Sequence, residues 1–473
     1  MLQLLLTQLQ KQIVLSNEHF SSNKDAVKNV ADRFLSDAKK AILKGKQNMQ
    51  NWYHDGREYI KQNDLLYELV SHPSFHQHQL RLTEPSICDP SVKQYSGYLD
   101  IESDKHLFFW FFEARNSPKD APLIMWLNGG PGCPCRVSED GKNSTVNPYS
   151  WNTHANIIFL DQPVDVGYSY SENGNSVNTS PVAGKDVYAF LELFFKRFPE
   201  YSTLLSILLL RVTVVLMPLT LLVHINLASV ILANGLTNPY VQMGSIPDWR
   251  AKGPMLSMTT QVDLSVRLFV PRFLLINSCY SFNSRLTCVP ALLYCNSQLL
   301  GPLMRNHSHG LRLIGLNPYD VRRKCDRAKD GDLCYREMNG VAIFMNDQKN
   351  KVTLGDGMHN SALLLPPLVN DGVRLLVYAG NAGKFLDFFG NERWVEQLET
   401  KFHSEFSTAE SIPWVTIQDG VLAGTVRSAG GSGFTAGNVT FVTVHESGAH
   451  MVPFDQPEAA LDLITRWIMD TPL

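Results

Sequence analysis

The feature that most constrains this chain is a set of short, continuously apolar runs cut off sharply by turn residues. Leu123-Ile124-Met125-Trp126-Leu127 stops at Asn128-Gly129-Gly130-Pro131-Gly132, and Asn156-Ile157-Ile158-Phe159-Leu160 stops at Asp161-Gln162-Pro163. Runs this short, with no polar alternation, suit strands covered on both faces, as in a largely parallel sheet. Residues 373–378 and 439–444 supply further strands, while 183–198 and 458–469 have helical composition or spacing. Strands alternating with helices over such a length predict an α/β domain. Residues 94–100 and 106–112 read as an antiparallel pair. The stretch from about 240 to 345 breaks the alternation and reads as a cap insertion.

Upstream of this domain the texture differs. Residues 1–82 are polar and helix-favouring, and 25–35 carry apolar residues at helical spacing. The expected division is therefore a helical, propeptide-like segment over 1–82 and an α/β domain over 83–473. Lys and Arg total 42 against 45 Asp and Glu, a net charge of −3, which leaves no basic excess for nucleic acid. With 44% hydrophobic and 18% charged residues the chain is read as ordered and globular, and as a monomer. The apolar run 204–223 approaches the length of a membrane span, but Arg211 and Pro218 within it argue against one, so no stable crossing is expected.

The eight cysteines are Cys88, Cys133, Cys135, Cys279, Cys288, Cys295, Cys325 and Cys334. No Cys-x2-Cys pair occurs, which weakens a zinc reading, and neither metal nor cofactor is expected. Local disulfides imply an oxidising lumen or secretion. The sequons at Asn143, Asn178, Asn306 and Asn438 are compatible with glycosylation on that route. The entry signal is poor: residues 1–6 are apolar, but no basic residue precedes them and Gln8–Gln12 interrupts them. The cysteines favour a missing true N-terminus over a cytosolic chain.

Two motifs suggest chemistry. The Gly-rich turn 128–132 follows a buried strand, and glycines there let backbone N–H groups approach an oxyanion. His450 lies between the last strand and the terminal helix, where an α/β-hydrolase carries its general base. Three longer stretches carry a resemblance: Trp126 to Cys133, Phe159 to Val164 with Gly167 to Ser171, and His450-Met451-Val452-Pro453-Phe454-Asp455-Gln456-Pro457. Shorter matches are Cys88-Asp89-Pro90, Asn234-Gly235-Leu236-Thr237, Cys288-Val289-Pro290 and Asn317-Pro318-Tyr319-Asp320. Together they resemble the serine carboxypeptidase family, particularly its fungal vacuolar members, over roughly 84–473.

The resemblance implies an α/β-hydrolase fold, a Ser-Asp-His triad, release of C-terminal residues from peptides, and a vacuolar or secretory address. His450 matches the base and Gly130 an oxyanion donor. Trp126, Asn128 and Gly129 match the groups that hold the substrate's terminal carboxylate, and Met451 borders the site of the leaving residue. Cys279–Cys288 and Cys325–Cys334 remain as pairs; Cys295 lacks its upstream mate, and a segment lost between Leu354 and Asp356 removes the mate of Cys133. The expected partner is the C-terminus of a peptide or protein.

The chain departs from the family where the reaction begins. Shortly after Phe198-Pro199-Glu200-Tyr201 the family has Gly-Glu-Ser-Tyr-Gly/Ala-Gly; here 204–218 contains no glycine, and no Gly-x-Ser-x-Gly occurs anywhere. Ser206 lies too early and lacks the small neighbours of a strained elbow. Gly383 stands at the position of the acid, with Asp387 as a distant substitute. Loss of a triad serine costs on the order of a millionfold in turnover. The chain is therefore read as inactive, a degenerate or mis-translated member, with a frame error one account of the block near 213–218. The alternatives are a non-catalytic binder of peptide C-termini and an active hydrolase with an unrecognised nucleophile.

Overall fold

The structure is a computed structural model. It describes residues 67–127, 134–137, 143–164, 166–175, 180–210, 225–252, 271–282, 284–295, 317, 319–320, 322–330, 334, 358–383, 388–431 and 438–473. Two compact units divide the chain, 1–66 and 67–473; the first lies wholly outside the described residues, and with it most of the expected helical leader.

In the second unit the apolar runs become the middle of one large sheet. In chain order its strands are β1 (Glu68–Ser71), β2 (His78–Thr83), β3 (Gln94–Ile101), β4 (Lys105–Phe112) and β5 (Leu123–Leu127), followed by a separate two-stranded ribbon of β6 (Cys135–Val137) and β7 (Ser144–Val146). The main sheet continues with β8 (Asn156–Leu160), β9 (Tyr170–Ser171), β10 (Ser206–Leu210), β11 (Leu227–Ala233), β12 (Arg374–Gly380), β13 (Ile412–Val415), β14 (Leu422–Ala429) and β15 (Val439–Val444). The order across the sheet is β1-β2-β3-β4-β8-β5-β10-β11-β12-β15-β14-β13, with β9 on β4. From β8 to β15 the neighbours run parallel, and the outer strands are antiparallel.

Strand periodicity sends alternate side chains to two separate cores. On β5, Leu123, Met125 and Leu127 face one core while Ile124 and Trp126 face the other; on β12, Leu375 and Val377 oppose Leu376 and Tyr378. The first core is closed by α1 (Ser180–Arg197) through Val187, Phe190 and Phe194, the second by the C-terminal helix (Pro457–Ile468) through Leu463, Ile464 and Trp467. Coverage on both faces is what permits the central strands to be apolar throughout. This is the α/β-hydrolase architecture.

Between β11 and β12 the chain forms α2 (Pro239–Lys252), α3 (Asn277–Phe282) and α4 (Arg285–Tyr294). Met243, Ile276, Ala291 and Leu292 form a small core there around the Cys279–Cys288 disulfide. A second disulfide joins Cys325 to Cys334. A third, Cys88–Cys135, ties the approach to β3 to β6 and was not expected. Cys295 is a buried thiol, pushed up to about 12 by burial.

Two expectations are corrected. The helical reading of 1–82 fails at its end, where β2 extends the main sheet antiparallel to β3 and β1 pairs antiparallel with β2. Asn438 is 8% exposed just before β15, with Nδ2 donating to the Gly431 carbonyl, so the expected glycan would have to break that contact and open the site. Asn143 is exposed beside β7; Asn178 and Asn306 lie outside the described residues.

Candidate active site

A doubly covered parallel sheet presents ligands at the C-terminal ends of its strands. The family-matching segments leave the sheet on that edge. β5 ends at Leu127, so the turn 128–130 starts there; Asn128, Gly129 and Gly130 themselves are outside the described residues. β12 ends at Gly380 and is followed by Asn381-Ala382-Gly383, and β15 leads into the loop that carries His450. Trp126, expected at the carboxylate site, is 1% exposed in the second core, with Trp151 at 4.7 Å between ring centroids. Met451 is 3% exposed and stands just before the short helix α5 (Val452–Asp455).

The strand that should bear the nucleophile is present. β10 pairs parallel with β5 on one side and β11 on the other, with Leu210 opposite Leu127. By sequence, the residues that follow are Arg211-Val212-Thr213-Val214-Val215. A nucleophile elbow needs a sharp, strained turn flanked by small residues, and β-branched side chains resist positive φ. Ser206 sits at the opposite edge. It is the first residue of β10, opposite Leu123, about 13 Å of strand from the end at Leu210. It is buried, and its hydroxyl has no hydrogen-bond partner.

Gly383, expected to stand at the acid's position, is crowded by the loop that leads to His450. A Cβ added to Gly383 would lie 2.3 Å from Ala449 Cβ and 2.5 Å from Ala449 N. The loop one residue before His450 is therefore pressed against the place where the family's aspartate would begin. Backbone hydrogen bonds hold it there: Gly380 N donates to the Ala449 carbonyl at 3.2 Å, Ala382 N to Ser447 at 2.8 Å, and Asn381 N to Val444 at 2.9 Å. Asp387 is outside the described residues.

On the other side of the loop, Tyr319 places its ring 6.3 Å from that of His450. The carboxylate of Asp455, fully buried, accepts a hydrogen bond from Gly448 N at 2.8 Å and faces Arg323. Asp320, also buried, is penalised by burial but held below the usual carboxylate range by hydrogen bonds and charge from Arg322 and Arg323. Tyr319, Asp320 and Asp455 lie within two of the matching stretches and Arg322 and Arg323 just beyond one, yet sequence reading gave them no role; the charge run Asp320-Val321-Arg322-Arg323 was the available signal.

Among the described residues, one His/Cys cluster, Cys279, Cys288 and His359, approaches metal-ligand geometry. Its two sulfurs are bonded to each other and cannot act as thiolate ligands.

This sheet edge, with β5 and β10 ending side by side and a histidine after β15, defines an α/β-hydrolase scaffold. The chain belongs to the serine carboxypeptidase family, whose model matches residues 85–207 and 344–470. It is similar to Carboxypeptidase Y homolog A of Phaeosphaeria nodorum, 39% identical over 82% of this chain and 76% of that protein. It is likewise 39% identical to Carboxypeptidase Y homolog A of Ajellomyces dermatitidis, over 80% of this chain and 74% of that one. The crystal structure of KEX1(delta)p, a prohormone-processing carboxypeptidase from Saccharomyces cerevisiae, shares the fold with a TM-score of 0.63. It is 22% identical and covers 85% of this chain and 95% of its own. The family match breaks off at 207, inside β10, and resumes beyond the cap. Among the described residues, no helix is long and apolar enough to cross a membrane.

Proposed function

We propose that this chain is a non-hydrolysing member of the serine carboxypeptidase family, in which the base position and the substrate-side turn persist without nucleophile or acid. The observation that carries this reading is the packing at Gly383. With Ala449 Cβ 2.3 Å from a built Cβ, an aspartate there requires the base loop to move. The sequence after Leu210 supports it independently, since Arg211 follows where the family's elbow begins.

The ligand class that fits is the C-terminus of a peptide or protein, with Asn128 and Gly129 taking the terminal carboxylate, Gly130 at the oxyanion position and Met451 beside the last residue. Three disulfides fit an oxidising compartment, vacuolar or secretory. The block after β10 reads as a frame error in a carboxypeptidase gene, in which case the family's hydrolysis belongs to the intact gene product. Incubating the chain at about pH 5, within the range where a histidine base titrates, with a peptide bearing a free C-terminus tests the proposal. Mass spectrometry should show no loss of C-terminal residues, whereas stepwise shortening that copurifies with the chain would refute it. Calorimetry with free-acid and amidated peptides tests the binding half: the free acid should bind more tightly, and Asn128→Ala should remove the difference.

A further inference from the structure

The loop that carries His450 is gripped from the cap side by a charged cluster. Asp455 Oδ1 lies 3.0 Å from Arg323 Nη2, while its Oδ2 accepts the Gly448 N–H at 2.8 Å. Arg323 Nε is 3.2 Å from Asp320 Oδ2, and Asp320 takes Arg322 bidentately, from Nε at 2.9 Å and Nη2 at 2.8 Å. The remaining arm of Arg322 reaches Glu446, which is at φ 54° with its carbonyl accepting from Gln456 Nε2 at 3.0 Å. Both aspartate side chains are fully buried while Arg322 and Arg323 are 35% and 45% exposed, so the carboxylates are held from the solvent side by arginines that water partly screens.

The cap segment is itself braced. Asn317 N donates to the Arg323 carbonyl at 2.9 Å, Asn317 Nδ2 to the Cys334 carbonyl at 3.2 Å, and Cys334 is bonded to Cys325. Backbone meets backbone across the contact: a Cβ on Gly448 would lie 2.6 Å from the Tyr319 carbonyl oxygen, so only glycine permits this approach.

We infer that Asp320, Arg322 and Arg323 of the cap, acting through Asp455 and Glu446, are positioning residues that set the placement of His450. The inference rests on His450 being the base position of the site as read above. Its test measures the loop, not turnover, so either can fail alone. A cap that moves or loosens carries the imidazole with it, because the same two arginines join both sides.

Carbethoxylation of individual histidines by diethyl pyrocarbonate, followed by peptide mass spectrometry on the full chain, reads this directly. Exposed His403, on a helix remote in sequence from the cap, is the internal control. In Arg323→Met the His450 rate should rise up to about fivefold, the factor a half-exposed ion pair carries, with His403 unchanged and unfolding still cooperative at a lower melting temperature, because the buried Asp455 carboxylate loses its arginine. Arg323→Lys keeps a point charge without the fork and should give an intermediate rate. If Arg323→Met does not fold, Glu446→Gln, whose side chain is 74% exposed, tests the outer arm with a smaller rise. An unchanged His450 rate in folded variants, or an equal rise at His450 and His403, overturns the inference.

Discussion

Replacing Gly383 with alanine isolates the contact on which the inactive reading depends. Carbon atoms pack at about 3.5–4.0 Å, and the new Cβ would start 2.3 Å from Ala449 Cβ and 2.5 Å from its backbone nitrogen. Overlap of this size against backbone costs about 1–3 kcal/mol. If the loop yields, the Ala382–Ser447 and Gly380–Ala449 backbone hydrogen bonds weaken, at about 1 kcal/mol each. The expected destabilisation is therefore about 3–5 kcal/mol. Guanidinium unfolding followed by tryptophan fluorescence should show a lower midpoint at unchanged slope. Adding Ala449→Gly removes the nearest atom but leaves the nitrogen, so the double variant should recover part of the loss and not all of it, a coupling the mutant cycle reads. A Gly383→Ala midpoint within about 0.5 kcal/mol of the parent would show that the loop is not pressed on this position, and the argument for a filled acid slot would go with it.

Other consequences follow from the same geometry. Ser206→Ala should leave stability unchanged or slightly higher, because the buried hydroxyl has no partner to lose; a clear drop in melting temperature would show a role the structure does not give it. Cys295, pushed up to about 12 by burial, should stay unmodified by iodoacetamide at about pH 8 while the chain is folded and react once it is unfolded, as peptide mapping would show. Asp89 and Asp320 are both penalised by burial yet held below the ordinary carboxylate range, by Ser91, Asn152 and Arg115 and by Arg322 and Arg323 respectively. A depressed folded-state pKa contributes stability that is full above the unfolded value and lost as pH falls through the folded one. Unfolding midpoints should therefore hold near pH 5 and fall below about 4, less so in Asp320→Asn; no difference between parent and variant in that window would contradict the assignment. Arg374, 1% exposed, is paired with Asp470 and donates to the Trp467 carbonyl. Arg374→Met should cost about 3 kcal/mol by loosening the C-terminal helix, and a neutral result by thermal melting would refute that.

How much of this was legible depends on whether local pattern or distant pairing decides each element. β5 and β8 were readable because a central parallel strand must be apolar on both faces and must end at a turn. β10 was not, since its residues open a longer apolar block and nothing local marks Leu210 as its end. Pairing with β5 and β11 selects those five residues. β1 was missed for the opposite reason: it lies at the sheet's edge with only Val70 buried, so its polar sequence carries no strand period. The Cys88–Cys135 bond joins residues whose proximity comes from the fold, and spacing cannot reveal it. At the site, the proposed loss of the nucleophile rests on residue identity alone, since 204–218 contains no glycine. That Ala449 packs on Gly383, and that Arg322 and Arg323 grip the loop before and after His450, depend on how three separated segments meet.

The central claim is that no activated side-chain hydroxyl faces His450. A fluorophosphonate forms a covalent adduct with such a hydroxyl whatever the peptide specificity, so intact-mass spectrometry of the folded chain after prolonged exposure is the most direct measurement. The account predicts an unchanged mass. A stoichiometric adduct, abolished by His450→Ala and mapped to one serine or threonine, would contradict it.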